Sequence, residues 1–594
     1  MPLAAVPPTA LAAASSFTHG LAAAPGPGPS LIQHLDPVHS TLGSTLVALV
    51  PIVVLLVCLA VLRLSAWQAV IIGAVITIVM AITIWQAPAG HTFGAWAIGA
   101  GTGIWSINWI TFWGVIIYYT LVETGVFDDF KRWLIAHATA DIRVQTILLA
   151  WSLGALLEGL VGFGYPWAVI APILVGLGVV EIDAIRVAAI ANNAPVSFGA
   201  LGAPVIALAA VTSVPLIHLS ASIGRIVAIL ALLPPWILIL LVTGRRGIRG
   251  AWPLALTGSL AYIAGQYPTS QFLGPYLPDV IGAVVSFGAL LLLLRFWRPR
   301  ETLGFGGVPV DAGMAASPGT AARPGTAASP GTAASPGTAA SPGTAASPEA
   351  AAPGTREAVR GFVPFVILIA VVVSATGPWS HLSTYDFIKP GVTAVSSLSH
   401  QPVTVYWEFA PAVAGTWILL SWLLIVIAFR VTGRQIATVF RRAFTQMWGA
   451  LLVAPIIFGL ADVFNYSGMA ATLAHGFSRI GTPFILLAPI LGWIGVALSG
   501  SNTSTNALFG GFQYSVGRLL NMPILLLPSL NSVGAEVGKP VAPQTASVGV
   551  STSRFVRREG DVIRHNFGWT LVLLAYLILI GLFYRFLVPG AMRL

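Results

Sequence analysis

Hydrophobic positions in this chain come in long blocks separated by short polar breaks. Runs at about 44–62, 67–86 and 96–121, and again at about 361–377, 409–429, 443–462, 483–500 and 567–588, each approach the ~20 residues a helix needs to cross a bilayer. The pattern predicts an all-α polytopic membrane protein of about 12–14 transmembrane helices. Between Arg143 and Arg245 the blocks are shorter, at about 144–162, 165–180, 195–212 and 221–243. Some of these are expected to be half-helices or re-entrant hairpins.

The breaks carry the information. Trp151 to Pro204 contains Gly154-Ala-Leu-Leu-Glu158-Gly-Leu-Val-Gly162-Phe-Gly164-Tyr-Pro166 and Asn192-Asn193-Ala-Pro195-Val-Ser197-Phe-Gly199-Ala-Leu-Gly202-Ala-Pro204. The second half has a matching pair: Ser499-Gly-Ser501-Asn502-Thr503-Ser504-Thr-Asn506, then Asn531 through Lys539-Pro to Pro543-Gln544. Backbone groups freed by Gly and Pro must be satisfied by protein or cavity water, because hydrocarbon offers nothing. Paired interruptions at corresponding places in two halves point to a transporter built of inverted-repeat-like halves, with the solute site at the breaks.

Composition agrees with that class. The chain has 594 residues, 56% hydrophobic and 8% charged, whereas soluble domains run near 25% charged. A net charge of +10 raises nucleic acid as a partner, but no basic stripe interleaves with aromatics. Its cations sit instead between apolar blocks, as the positive-inside rule requires. Arg63, Lys131/Arg132/Arg143, Arg245/Arg246/Arg249, Arg295/Arg298/Arg300, Arg430/Arg434/Arg441/Arg442 and Arg554/Arg557/Arg558/Arg564 are assigned to the cytoplasm, and Ala87–Phe93 and Gln266–Asp279 to the outside. Both termini are then extracytoplasmic. The lone Cys58 excludes a disulfide framework and is read as a core residue.

Four regions follow. Residues 1–43 form an Ala/Pro/Gly/Ser tail expected to be disordered, lacking the basic start of a secretory signal; 44–300 form one membrane half; 301–358 a linker; and 359–594 the second half. Ala-Ser-Pro-Gly-Thr-Ala recurs every six residues from Ala316 to Pro348, a composition that cannot bury a core and predicts a disordered cytoplasmic segment. Phe127 to Ala138 is amphipathic and is read as interfacial.

Glu158 is the first candidate for chemistry. An intramembrane carboxyl is a proton carrier or a protonated hydrogen-bond donor across a helix interface. Asn192, Asn193 and Ser197 sit beside Pro195, where a half-helix start would offer N–H groups to a carboxylate; an ordinary Asn cap is the alternative. Ser501, Asn502, Thr503, Ser504 and Asn506 make an uncharged polar string that suits a carboxylate, a hydroxyl or a small cation. A solvated loop is the alternative, opposed by the absence of charge from Ile480 to Val516. Gln544 closes the last break. Lys539 and Arg518 are the nearest cations, each able to meet an anion or to snorkel to the surface. His137, His218 and His475 have no partner at ligand spacing, and Gly-Gly-Phe-Gln after Phe509 lacks the lysine of a P-loop. No metal, haem, ATP or other cofactor is expected.

The stretches Gly154–Pro166, Asn192–Pro204, Gly265–Asp279, Asn465-Tyr-Ser-Gly468, Gly492–Phe509 and Gly538–Gln544 resemble the L-lactate permease family, which includes glycolate permeases. The resemblance covers nearly all of the chain outside the tail and linker. It implies import of lactate and related short 2-hydroxy monocarboxylates by proton symport across a bacterial inner membrane, with no enzymatic activity. A sodium-coupled carboxylate carrier is the alternative within transport, and a membrane subunit of a respiratory enzyme the alternative outside it. Ser501-Asn502-Thr503 also looks like the hairpin-tip motif of sodium-coupled dicarboxylate carriers. The chain departs from the family pattern at Asn502, where relatives often carry Asp, and at Ala535, Glu536 and Pro540. Monomer and homodimer are both compatible with the sequence.

Overall fold

The computed structural model describes residues 31–62, 64–129, 139–162, 164–310, 355–380, 389–396, 402–407, 409–550, 553, 555 and 558–594. Among these, seven helical segments are long and apolar enough to cross a membrane, and eight if the pair Glu181–Ala191 and Val196–Thr212, bent by 66°, is one span. The number is smaller than the twelve to fourteen expected. One reason is that Tyr165–Gly176, Arg360–Thr376, Ala414–Phe429 and Phe484–Ser499 are apolar but short. Another is that Leu216–Phe272 is a single 57-residue run, turned at Pro234 and broken at Gly244, whose φ is 66° and ψ −169°.

Burial separates lipid-facing helices from central ones. Thr41–Leu59 is 33% buried and Glu559–Phe586 39%, against 61% for Ala89–Glu123. Val53, Val57, Ile427 and Leu579 point outward, where hydrocarbon is as good a neighbour as protein. Helix association in lipid therefore depends on close backbone approach. The helices Ala89–Thr102 and Gly433–Ser467 show it: a Cβ on Gly99 would lie 2.3 Å from the Phe458 carbonyl oxygen, and one on Gly103 2.6 Å from that of Ala454.

Pro455 interrupts the Gly433–Ser467 helix and leaves the Leu451 carbonyl without its usual N–H donor. Asn108 supplies the missing donor at 2.8 Å. It closes a π-helical turn, Gly103–Asn108, a distortion that often accompanies functional sites.

The described residues nearest the N-terminus are not a loose tail. Leu31 and Gln33 are buried, Ile32 forms a bridge to Val395, and the Gln33 amide donates to the carbonyls of Asn465 (2.8 Å) and Tyr466 (3.1 Å). Val395 belongs to a strand, Gly391–Val395, paired antiparallel with Pro402–Tyr406, the small β element in an otherwise helical fold. Residues 301–310 are also ordered. Arg143, 2% exposed, pairs with Asp141 at 2.5 Å and donates to the Glu301 carbonyl at 2.7 Å, while Asp141 accepts from the Leu303 N–H at 3.1 Å. Beyond them the helix Thr355–Thr376 opens the second half. The repeats between 311 and 354, most of the amphipathic segment ending at Ala138, and residues 1–30 lie outside the described residues.

Candidate functional site

Four interruptions meet in the interior. In the first half, helix Gly154–Leu160 stops before Gly162 and Gly164, both left-handed, with φ of 68° and 79°. The second break spans Asn192 to Gly202. Val196–Phe198 is a 3-10 turn, and the residues after it, Ala200, Leu201 and Gly202, are all left-handed. Two consecutive non-glycine residues in that region cost on the order of 1–3 kcal/mol each, so the surrounding packing must impose the shape. In the second half, Gly500 (φ 72°) turns the chain between Phe484–Ser499 and Asn502–Leu519. The two helices fold back on each other, with Gly495 against Thr505 and Phe509. Finally, Leu526–Gly538 passes through a 3-10 turn, Lys539–Val541, into the short helix Pro543–Val550. The start of that helix touches both tips: Thr545 lies against Gly164 and Gln544 against Gly500.

Glu158 and Lys539 form an ion pair at this junction. Their side chains are 1% and 5% exposed, and the Asn192 amide donates to the other Glu158 oxygen at 3.1 Å. Gly199 is necessary to this arrangement, because a Cβ there would sit 2.7 Å from a Glu158 carboxylate oxygen. The pair borders a cavity of about 350 Å³. Its polar wall comes from Ser501, Asn502, Thr503, Ser504 and Gln544 on one side, with Asn108, Thr111, Tyr165 and Gln446 on the other. Ser501 also caps its helix, accepting from the Ser504 N–H at 3.2 Å. The Asn502 side chain is 4% exposed, and its amide atoms have no partner among the described residues.

Behind the cavity lies a second polar layer. Asn506 donates to the Pro204 carbonyl and to Ser532, each at 2.9 Å, and accepts from Asn531 at 3.0 Å, whose own oxygen accepts from Gln513 at 2.9 Å. The Ser197 N–H donates to Glu536 at 3.1 Å, and Tyr262 donates to Asp279 at 2.8 Å. Glu536 and Asp279 are 0% and 1% exposed.

The structure thus brings Glu158, Ser501, Asn502, Thr503, Ser504, Lys539 and Gln544 to one cavity, with Asn192 one bond away. Asn193, Ser197 and Asn506 are fully buried in the layer behind and do not line it. Two readings change. Lys539 does not snorkel to the surface, because a buried carboxylate offers it a better partner than the distant interface. A helical segment does begin just after Pro195, as the 3-10 turn Val196–Phe198, but the N–H at Ser197 is taken by the chain's own Glu536. Asn108, Tyr165, Gln446 and Asp279 were missed from the sequence, where Glu536 stood out only as a departure from the family pattern. Asp279 and Glu536 carried a signal, since each is an acidic residue in an apolar or broken segment like the one that singled out Glu158. Asn108 had none, because its role depends on a proline in another helix.

The sequence profile of the L-lactate permease family matches residues 44–589. The chain belongs to that family. It is 32% identical over 568 residues to the glycolate permease GlcA of Escherichia coli K12, covering 92% of this chain and 96% of that one. It is 33% identical over 536 residues to the L-lactate permease of Bacillus subtilis 168, covering 89% and 94%. A solved structure, that of the Alcanivorax borkumensis YdaH transporter, overlays with a TM-score of 0.40 at 14% identity, covering 84% of this chain and 90% of that one. All four interruptions fall within the matched residues 44–589.

Proposed function

We propose that this protein is a secondary carrier for lactate and related short 2-hydroxy monocarboxylates, including glycolate, that moves the anion together with a proton. The family membership and the names of its relatives support the solute class. The observation that carries the mechanism is the Glu158–Lys539 pair on the wall of an interior cavity, at the meeting point of broken segments from both halves.

A buried ammonium without a counter-charge is costly, and so is a buried carboxylate. The pair satisfies both in the absence of solute. A substrate carboxylate entering the cavity competes with Glu158 for Lys539. Protonation of Glu158 removes that competitor and leaves Lys539 free to hold the substrate. Proton and anion then favour each other's binding, and by linkage the coupling is reciprocal. The hydroxyls of Ser501, Thr503 and Ser504 and the amides of Asn502 and Gln544 offer donors and acceptors for the rest of a 2-hydroxy acid.

The membrane orientation follows the charges. Arg442 pairs with Glu123 at 3.0 Å, and Arg143 holds Glu301, at the ends of helices assigned to the cytoplasm. The residues around Gln33 and Met592 then lie on the outer face of a plasma membrane. The deciding experiment is uptake of labelled lactate into liposomes holding the purified protein, under either an imposed pH gradient or an imposed sodium gradient. Accumulation driven by the pH gradient is expected. Accumulation that needs sodium instead would replace the proton with a cation, and no accumulation under either gradient would overturn the carrier.

A further inference from the structure

A larger cavity, of about 670 Å³, lies beyond the first along the same helix. Gln446 through Phe458 of the Gly433–Ser467 helix line the cavity at Glu158, and Phe458, Asp462 and Asn465 line the larger one. The helix Gly199–Thr212 changes sides in the same way, with Pro204 on the first cavity and Ile206 on the second. Phe458, on the Gly433–Ser467 helix, is common to both walls.

The two cavities open toward opposite ends of the molecule. The first reaches Ser65 and Trp67, at the start of helix Ala66–Thr83. Just past the far end of that helix, Trp85 donates to Thr472, whose hydroxyl lies 3.5 Å from the His34 carbonyl, beside the Gln33 that lines the larger cavity. Eighteen helical residues separate those ends by about 27 Å at 1.5 Å per residue, close to a hydrocarbon thickness.

Asp462 is 6% exposed, lines the larger cavity, and has no hydrogen-bond or ion-pair partner among the described residues. The other ionisable groups lining it are Tyr406, Tyr514 and Arg518. The backbone at Phe458 is closely packed: a Cβ on Gly99 would strike its carbonyl, and one on Gly459 would lie 2.6 Å from Trp96; the residue itself is 1% exposed.

We propose that the Asp462 cavity is a second binding site on the solute path, taking a small carboxylate together with a proton on Asp462, and that Phe458 is the barrier between it and the cavity at Glu158. This rests on the carrier reading above. Arg518 gives an incoming anion an attractive charge at the mouth. An ionised Asp462 repels that anion farther in, and a protonated one does not. An anion therefore advances to Phe458 only with a proton beside it. The cavity then enforces on one face the same pairing that Glu158 and Lys539 enforce on the other.

The test uses single cysteines at Ser515 or Ala471 for the larger cavity and at Gln446 for the first, in a Cys58→Ser background, with Gly433→Cys marking the arginine-rich end. Each is exposed to a membrane-impermeant thiol reagent in right-side-out and inside-out vesicles. Ser515→Cys and Ala471→Cys are expected to react only from the face opposite to Gly433→Cys, and Gln446→Cys only from the same face as that marker. Replacing Phe458 by Ala is expected to let reagent reach both cavities from both faces. Lactate should slow labelling of Ser515→Cys several-fold more at acidic than at alkaline pH, each rate taken relative to that without lactate. Asp462→Asn should remove that difference. Reaction of both cavities from one face would overturn the barrier, and lactate protection absent or unchanged by pH would overturn the second site. Sidedness of labelling needs no lactate, so failure of the carrier reading would show separately, as absent uptake with sided labelling intact.

Discussion

Lys539 and Glu158, 381 residues apart in the sequence, face each other as a buried ion pair between two of the chain's broken segments. Removing one partner of such a pair strands the other, at a cost of about 3–5 kcal/mol. Glu158→Gln and Lys539→Gln should therefore each lower the melting temperature of the detergent-purified protein. The double variant should recover most of the loss, because no charge remains stranded. All three should fail to accumulate lactate under a pH gradient. If Glu158→Gln accumulates lactate like the unmodified protein, Glu158 does not carry the coupling proton.

Gly199 gives a finer probe of the same site. Its missing side chain makes room for the Glu158 carboxylate, 2.7 Å from where a Cβ would stand. Gly199→Ala should cost about 1–3 kcal/mol through overpacking and should displace Glu158 from Lys539. The expected result is an inserted protein with little uptake, measured as transport per molecule in the membrane. Uptake at the normal rate would show that this contact does not set the carboxylate's position.

Asn108 tests the π-turn and the proline together. Asn108→Ala leaves the Leu451 carbonyl without a donor, a loss of about 1–3 kcal/mol. Pro455→Ala restores an N–H four residues on from Leu451, so Asn108→Ala combined with Pro455→Ala should be more stable than Asn108→Ala alone. Thermal unfolding of the three variants decides it, and simple additivity would remove the proposed relationship.

Arg143 fastens the segment after residue 300 to the rest of the first half. Arg143→Met leaves Asp141 buried beside the Leu303 N–H, with an expected destabilisation of about 3–5 kcal/mol. It should also make the chain near Glu301 a faster target for added protease, while Arg300→Met, on an exposed side chain, should not. Equal cleavage rates in the two variants would contradict the anchoring role.

The sequence by itself determined the class of the fold and where its membrane segments are broken. Long uncharged apolar blocks have no stable place outside a bilayer, and the Gly, Pro and amide breaks at 154–166, 192–204, 499–506 and 538–544 have none facing lipid. Both constraints are local, so they are legible residue by residue. It also marked Glu158, Ser501 to Ser504 and Gln544, because polar groups within apolar sequence need a reason to be there. What only the tertiary structure decided is pairing. Whether Lys539 snorkels or meets Glu158, whether the Ser197 N–H is free or taken by Glu536, and whether Asn108 serves a carbonyl freed by Pro455 all depend on which distant segment arrives at each position. So does the number of full spans, since a short apolar helix sheltered by neighbours need not reach across the membrane. Electrostatic and hydrogen-bond partners in lipid are chosen by proximity in space, and proximity between segments hundreds of residues apart is not written in either segment alone.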